Sequence, residues 1–288
     1  MKIGIGLPAT TPGVQGKLIL NWAQQADKGP FSTLGLIDRL VYDNFEPLIT
    51  LAAVAGATER IRLTTTILLA PLHSGAILAK QSASLDALSG GRLTLGLGIG
   101  NREDDYRLAD VPFNRRGKRF EEQLTLMKRI WSGEILEGEN EPIGPKPVQA
   151  GGPEILLGGY TPVALQRVSR WGNGFIAGGG GPDTARQGFD MVRKVWQEAG
   201  RAGSPRLVGC SYFALGPQAA EQANAYIQHY YGFMGPMAAQ IASGVPSSPD
   251  AVRDTIKGFA DIGADELILW PCIAELDQVS SLADIIGG

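Results

Sequence analysis

Residues 60–100 read RIRLTTTILLAPLHSGAILAKQSASLDALSGGRLTLGLGIG and contain one complete strand–helix–strand unit. The β-branched run at 60–69 is typical of a strand that is buried on both faces. Residues 76–91 have the composition of a helix that two glycines end, and residues 92–100 form the next strand. Strands joined through a helix run parallel, so this unit predicts an α/β protein.

The same alternation extends over the chain. Further strands are predicted at 2–7, 32–37, 154–159, 174–181, 206–215 and 266–271. Eight strands that alternate with helices predict one (β/α)₈ TIM barrel over residues 1–288. An open, doubly wound sheet uses the same units and is the alternative, but no dinucleotide fingerprint follows a predicted strand.

Two segments are longer than such units need. Residues 133–153 are rich in Gly and Pro and are interpreted as an insertion in a βα loop, and residues 216–248 as a second insertion. Because βα loops surround the catalytic end of a TIM barrel, we expect substrate specificity to reside in these segments.

Composition excludes several classes of protein. The chain has 288 residues, 44% of them hydrophobic, and a net charge of -3. We therefore expect a globular, cytoplasmic protein with no nucleic-acid or membrane partner. Two cysteines and two histidines build neither a disulfide framework nor a multi-histidine metal site, and we predict no metal site. Since no nucleophile–base pair stands out, we expect an organic cofactor to supply the chemistry.

Three segments, ATERIRLTTTILL (57–69), SLDALSGGRLTLGLGIG (84–100) and LLGGYTPVALQRVSRWGNGFIAGG (156–179), carry a family resemblance. In this order and at this spacing they resemble the bacterial luciferase-like family of flavin-dependent oxidoreductases and monooxygenases. The resemblance covers nearly the whole chain. It implies a (β/α)₈ barrel that holds FMN, or the deazaflavin coenzyme F-420, at its C-terminal mouth. A homodimer is implied in the same way.

The resemblance also implies where a flavin ring would lie. The family often has a cis non-prolyl peptide that forms a bulge behind the ring, and this position falls at Thr65–Thr66. Asn101, after the fourth strand, is expected to hydrogen-bond the ribityl chain or the ring edge. Asp38, after the second strand, is expected to accept a hydrogen bond at the mouth, or else to cap the following segment.

The phosphate site is predicted at LGGYTPVAL. Gly158 and Gly159 let the backbone approach a ligand closely, and a helix that starts at Thr161-Pro162 offers free N–H groups. Tyr160 and Thr161 add hydroxyl groups. An ordinary capped turn explains the same residues. Gly178 and Gly179, after the sixth strand, are assigned to the same pocket or to a flexible turn.

Arg39 is the main departure from the family. Where luciferases and several deazaflavin enzymes place a histidine for proton chemistry, this chain has a permanent cation that cannot act as a base. Arg39 is expected to stabilise an anionic reduced flavin, to bind an anionic substrate, or to pair with Asp38 or Asp43. His73, in the loop after the third strand, is the alternative proton-transfer residue; packing of the loop is the competing interpretation.

Two further features stay open. Arg115, Arg116, Lys118 and Arg119 form a basic cluster that suits the acidic tail of the deazaflavin coenzyme, a phosphate or a pyridine nucleotide; such a run is usually a solvated helix start. His229, Tyr230 and Tyr231 suit either a substrate lid or a helix that packs on the barrel.

Three functions follow. The first is a monooxygenase that uses reduced FMN and oxygen on a small organic substrate, with a separate flavin reductase as a possible partner. The second is a deazaflavin-dependent dehydrogenase or reductase that transfers hydride. The third is a catalytically silent flavin-binding partner subunit, an alternative that the missing histidine keeps open.

Overall fold

A computed structural model describes residues 1–287, and eight parallel strands close into a barrel in sequence order. The strands are β1 (Lys2–Gly6), β2 (Thr33–Leu36), β3 (Arg62–Leu69), β4 (Leu93–Gly98), β5 (Glu154–Leu157), β6 (Gly174–Ala177), β7 (Arg206–Phe213) and β8 (Glu266–Pro271). Because β1 pairs with both β2 and β8, the sheet has no edge. The predicted (β/α)₈ barrel is confirmed, and the open sheet is excluded.

Helices surround the barrel. They are α1 (Gly16–Lys28), α2 (Pro47–Ala57), α3 (Gly75–Leu88), α4 (Glu103–Leu108), α5 (Arg116–Trp131), α6 (Pro162–Trp171), α7 (Gly181–Glu198), α8 (Ala219–Tyr231), α9 (Pro236–Ser243), α10 (Pro249–Asp261) and α11 (Asp277–Gly287). The Thr161 and Ser248 hydroxyls cap α6 and α10, each ahead of a first-turn proline. Within residues 1–287, every helix is too short or too polar to cross a membrane.

The two long segments lie at opposite ends of the barrel. Residues 133–153 run from the end of α5 to the start of β5, so they form an αβ connection, and their assignment to a βα loop is wrong. The physical reason is the helix before them: α5 already returns the chain to the N-terminal end, where Asp86 binds the backbone N–H groups of Val148 and Gln149. Residues 216–248 follow β7 and contain α8 and α9, so they lie at the mouth.

The end of β3 is irregular. β3 pairs regularly with β2 up to Thr65, and its register with β4 shifts between Thr65 and Leu68. The cis peptide lies at Thr66–Ile67, one residue beyond the Thr65–Thr66 position that we expected. The regular ladder continues to Thr65, so the departure begins only after it.

Glycines on the neighbouring strands make room for this irregularity. A Cβ atom at Gly96 would overlap the carbonyl oxygen of Thr65, and one at Gly158 would overlap the Ile67 side chain. At Gly98 a Cβ would lie 3.0 Å from Ile67 Cγ2. The glycine-rich ends of β4 and β5 are therefore required by packing against β3.

Gly96→Ala tests this requirement. The added methyl group meets backbone rather than a movable side chain, so we expect a loss of about 3 kcal/mol in the free energy of unfolding. Gly56→Ala is the matched control, since Gly56 is an exposed residue of α2 and a Cβ there meets nothing within 4 Å in the described chain. We expect that variant to be stabilised by about 0.5 kcal/mol. Urea unfolding of both variants measures the difference, and equal stabilities would contradict the packing argument.

Candidate functional site

A cavity of about 260 Å³ opens at the carboxyl ends of the strands, where TIM barrels carry their active sites. Its apolar and aromatic lining is Ile37, Ile67, Leu69, Tyr212, Tyr230, Tyr231, Phe233 and Trp270. Its charged lining residues are Asp38 and Arg39, which follow β2, and Arg102 and Asp105, which follow β4. The cavity is therefore an apolar pocket with a small charged wall.

The structure brings six of the predicted site residues together. Asp38, Arg39, Thr66, Asn101, Gly178 and Gly179 all line the cavity. Thr65 lies deeper, fully buried, and its hydroxyl donates a hydrogen bond to the Gly96 carbonyl at 2.8 Å. The strand-end positions of these residues were readable from the sequence, because the carboxyl ends of parallel strands meet at one face.

The predicted phosphate residues occupy the neighbouring β5–α6 turn. Gly158 adjoins Ile67 of the cavity, and Gly159 has a φ of +127°, a conformation that favours glycine. The Thr161 hydroxyl accepts a hydrogen bond from the Ala164 N–H at 3.2 Å and so serves as the helix cap. Tyr160 packs edge-on against Phe175, and burial raises the pKa of its phenol to about 12.

His73 lies apart from this group. It follows a short 3-10 turn at Ala70–Leu72, and its carbonyl accepts hydrogen bonds from Arg119 at 3.0 Å and Gln123 at 2.6 Å. The described residues that line the cavity do not include His73. The chain turns toward α5 here, so the structure does not bring His73 together with the other predicted residues.

Arg39 is held at the mouth by its own loop and by aromatic rings. Its guanidinium carbon lies 5.4 Å from the ring centroids of Tyr42 and Tyr230 and 5.7 Å from that of Phe233. One N–H of Nη2 donates to the Val41 carbonyl at 3.2 Å. The side chain is only 6% exposed. Arg39 therefore presents a desolvated cation to the cavity.

Asp105 is the residue that sequence reasoning missed. It is fully buried, and its Oδ1 accepts hydrogen bonds from the Leu40 N–H at 3.2 Å and the Val41 N–H at 2.7 Å. Its Oδ2 lies 3.5 Å from Arg39 Nε and 3.9 Å from Arg102 Nε. In the sequence it is one of three acidic residues in the first turn of α4, a pattern that helix electrostatics alone explains.

The insertion after β7 supplies one wall of the cavity. Tyr230, Tyr231 and Phe233 line it, and the Tyr231 hydroxyl lies 3.0 Å from that of Tyr212. Burial raises the pKa of Tyr212 and of Tyr231, so both phenols stay neutral at physiological pH. His229 lies behind this wall, where its Nδ1 is 2.7 Å from the Tyr42 hydroxyl.

The basic cluster serves the fold. Arg119 donates to the Pro71 and His73 carbonyls, and Arg116 packs over the Phe113 ring at 3.7 Å. Lys118 pairs with Glu122 along α5 at 3.8 Å. Within the described chain, this cluster lies outside the cavity lining. The helix-start interpretation accounts for these contacts.

A larger hollow of about 590 Å³ lies at the opposite end of the barrel. Its charged groups form a network in which Arg206 pairs with Glu154 and Glu266, and Arg62 with Glu154. In TIM barrels the N-terminal end serves stability and the C-terminal end chemistry. We therefore place the candidate site at the mouth, although its cavity is smaller.

Comparison with known proteins finds similarity over most of the chain. A family model described as luciferase-like monooxygenase matches residues 1–263. Over 163 residues the chain is 36% identical to an uncharacterized protein of Mycobacterium tuberculosis, a match that covers 54% of this chain and 56% of that protein. Over 196 residues it is 27% identical to an FMNH(2)-dependent dimethylsulfone monooxygenase of Pseudomonas putida, with 64% and 53% covered. The matches thus span little more than half of the relatives' own length.

A solved structure, an F420-dependent secondary alcohol dehydrogenase in complex with an F420–acetone adduct, is similar over 100% of this chain and 99% of that chain. The TM-score is 0.79 and the sequence identity is 15%. At this identity the likeness is one of fold.

Asp105→Asn tests the charged wall. The amide keeps an acceptor for the backbone but leaves the buried Arg39 without its carboxylate, so we expect a loss of about 3 kcal/mol in unfolding free energy. Asp104→Asn is the control, because Asp104 is partly exposed and forms its ion pair with Arg102 at the rim; its loss should be about 1 kcal/mol or less. Chemical denaturation measures both values. Equal losses would show that Asp105 is an ordinary helix-start acid.

Proposed function

We propose that this chain, since it belongs to the luciferase-like monooxygenase family, is an FMN-dependent monooxygenase that acts on a small organic substrate at the barrel mouth. The observation that carries the proposal is the mouth cavity, which is largely apolar and whose aspartates are already engaged by other groups. The FMNH(2)-dependent relative supports the choice of cofactor. In this proposal a separate flavin reductase supplies the reduced FMN.

The residues at the mouth fit a flat ring. A Cβ at Gly178 would meet no atom of the described chain within 4 Å, and one at Gly179 would lie 3.7 Å from Tyr212 and 3.9 Å from Trp270. Two successive glycines therefore leave a gap that faces an indole and a phenol. Thr66, Asn101, Gly178 and Gly179 are the residues that would hold the ring and its ribityl chain.

The β5–α6 turn fits a phosphate through its backbone. The Thr161 hydroxyl already caps α6, so the donors that we propose for phosphate are the N–H groups of Gly159 and Tyr160, in the turn just before the helix. Gly158 and Gly159 bring this backbone close to Ile67, at the edge of the cavity.

Bound reduced FMN would supply the electrons for oxygen activation; the chain's own residues supply the environment. Ile67, Leu69 and Trp270 exclude water from the reacting centre. Tyr212 and Tyr231 share one hydrogen bond between their hydroxyls, which leaves one O–H of the pair to donate to an oxygen that gains charge there.

Hydride transfer from an alcohol to a deazaflavin needs a base for the hydroxyl proton, and both carboxylates of the mouth cavity already bind other groups of the protein. Asp38 accepts a hydrogen bond from the Leu69 N–H at 2.8 Å, and Asp105 lies between two guanidinium groups. Among the described lining residues there is no histidine. These contacts favour the oxygen-using reaction over the deazaflavin alternative.

Parallel titration of the apoprotein with FMN and with the deazaflavin coenzyme tests the cofactor, with flavin fluorescence as the readout. We expect FMN to bind at least about tenfold more tightly. Turnover is then measured as oxygen uptake with photoreduced FMN, and incorporation of ¹⁸O into product identifies oxygenation. Preferential deazaflavin binding would favour the hydride-transfer enzyme, and failure of both ligands to bind at micromolar concentration would contradict the cofactor site.

Gly178→Leu locates the ring. The side chain would enter the open gap at the mouth, so we expect FMN affinity to fall at least about tenfold while the melting temperature stays near that of the wild type. Gly56→Leu is the matched control, since that position also has open space for a Cβ but lies on the outer helix α2. If both variants bound FMN like the wild type, the ring would lie elsewhere.

A further inference from the structure

The Arg39 guanidinium has donors that the protein leaves unused. Arginine carries five N–H donors in one plane, and the hydrogen bond that Arg39 makes runs from Nη2 to Val41. Its Nε has no hydrogen-bond partner in the described part of the chain. The nearest carboxylate oxygen, Asp105 Oδ2, is 3.5 Å away, beyond the usual N–H···O range of about 2.7–3.2 Å.

The aromatic residues around Arg39 leave its Nε without a hydrogen bond. Tyr42, Tyr230 and Phe233 surround the guanidinium at 5.4–5.7 Å and attract its charge. Ring faces do not replace the in-plane hydrogen bonds that a guanidinium makes to an oxyanion. The Asp105 ion pair compensates the charge of Arg39, but an N–H group that is buried without a hydrogen bond still costs free energy. Arg39 lines the mouth cavity, where a ligand oxygen can supply that hydrogen bond.

The nearby acids are committed elsewhere. Asp105 gives Oδ1 to two backbone N–H groups and shares Oδ2 between Arg39 and Arg102. Arg102 also pairs with Asp104, so the charges of the two arginines and the two aspartates sum to zero. Asp38, the other carboxylate of the lining, binds the Leu69 N–H.

The position of Arg39 separates it from the proposed phosphate site. Arg39 follows β2, whereas the phosphate turn follows β5 and the Gly178–Gly179 loop follows β6. In a closed eight-stranded barrel, β5 and β6 lie across the mouth from β2. A ligand group at Arg39 is therefore distinct from the phosphate of the cofactor.

We propose that Arg39 binds an oxyanion of the substrate, and that the substrate is a small organic acid, a carboxylate or sulfonate with an apolar body. The inference rests on the proposed function for the reaction, but its binding step stands on the geometry of Arg39 alone. A guanidinium edge suits two parallel hydrogen bonds to such a group, while Tyr231, Trp270 and Leu69 offer surface to the apolar body.

The test uses the protein with and without added FMN and three probes: benzoate, benzenesulfonate and the neutral isostere benzamide. Calorimetry and thermal shift at pH 7.5 measure their binding. We expect at least one of the two anions to bind about tenfold or more tightly than benzamide. Equal affinities of the anions and the amide in the wild type would overturn the proposal without any variant.

Variants assign the effect to Arg39. Arg39→Gln should lower the affinity of the preferred anion at least about tenfold and leave benzamide binding unchanged. Arg39→Lys keeps the charge but loses the planar guanidinium, so its affinity for the anion should lie between those of the wild type and Arg39→Gln. Arg253→Gln, which removes an exposed arginine of α10, is the matched control and should bind like the wild type. Unchanged anion binding in Arg39→Gln would overturn the proposal. If that variant does not fold, Arg39→Lys and the wild-type comparison decide.

The readouts also separate this inference from the proposed function. Simultaneous loss of FMN and anion binding in Arg39→Gln would assign the residue to the cofactor and overturn the substrate site. If the protein binds FMN but does not prefer anions, the inference fails and the proposed function stands. If it prefers anions through Arg39 and binds no FMN, the anion site stands and the proposed function fails.

Discussion

Gly96 on β4 lacks a side chain because the Thr65 carbonyl oxygen occupies the space that a Cβ would need. This steric constraint governs the mouth of the barrel. It allows β3 to leave its regular ladder after Thr65 and to place Ile67 over Gly98 and Gly158. Ile67 and Thr66 then form part of the cavity wall, and the Thr66 hydroxyl accepts a hydrogen bond from the Trp270 indole across the barrel at 2.9 Å. Packing between neighbouring strands thus shapes the candidate site before any polar group is considered.

The charged wall depends on a second constraint, the burial of Asp105. This carboxylate on α4 binds the backbone of the loop after β2, so it fixes one mouth loop against another. Because the same carboxylate faces Arg39 and Arg102, loop position and local charge are coupled. A change at Asp105 therefore alters stability and the setting of Arg39 together, whereas Asp104 acts at the rim.

Much of the barrel is predictable from local pattern, and the parts that are not depend on long-range contacts. The β-branched and glycine-ended strands identify all eight strands, since each is a short apolar run followed by a helical period. The exact residue of the irregular peptide is not local information: it depends on where the β2–β3 ladder ends, and we expected it one residue too early. Residues 133–153 show how a loop can be recognised by composition and still be assigned to the wrong end of the barrel. The preceding helix, not the loop, determines that end.

The site shows the same division. Asp38, Arg39, Asn101 and Gly178–Gly179 follow predicted strands, and strand polarity is enough to gather them at one face. Asp105 could not be assigned in this way, because its partners Leu40 and Val41 are more than sixty residues away in the chain. The position of His73 depends on the direction of its loop, which local sequence does not determine. Arg119 and Gln123 of α5 donate hydrogen bonds to the His73 carbonyl, and His73 lies outside the described cavity lining.

The combination of these contacts limits what the protein itself contributes to a reaction. The described lining holds two permanent cations, three phenols, and acids that backbone and guanidinium groups already engage. Such groups orient a ligand and exclude water well, but they exchange protons poorly near neutral pH. A site of this composition suits chemistry in which a bound cofactor supplies the electrons and the protein supplies position.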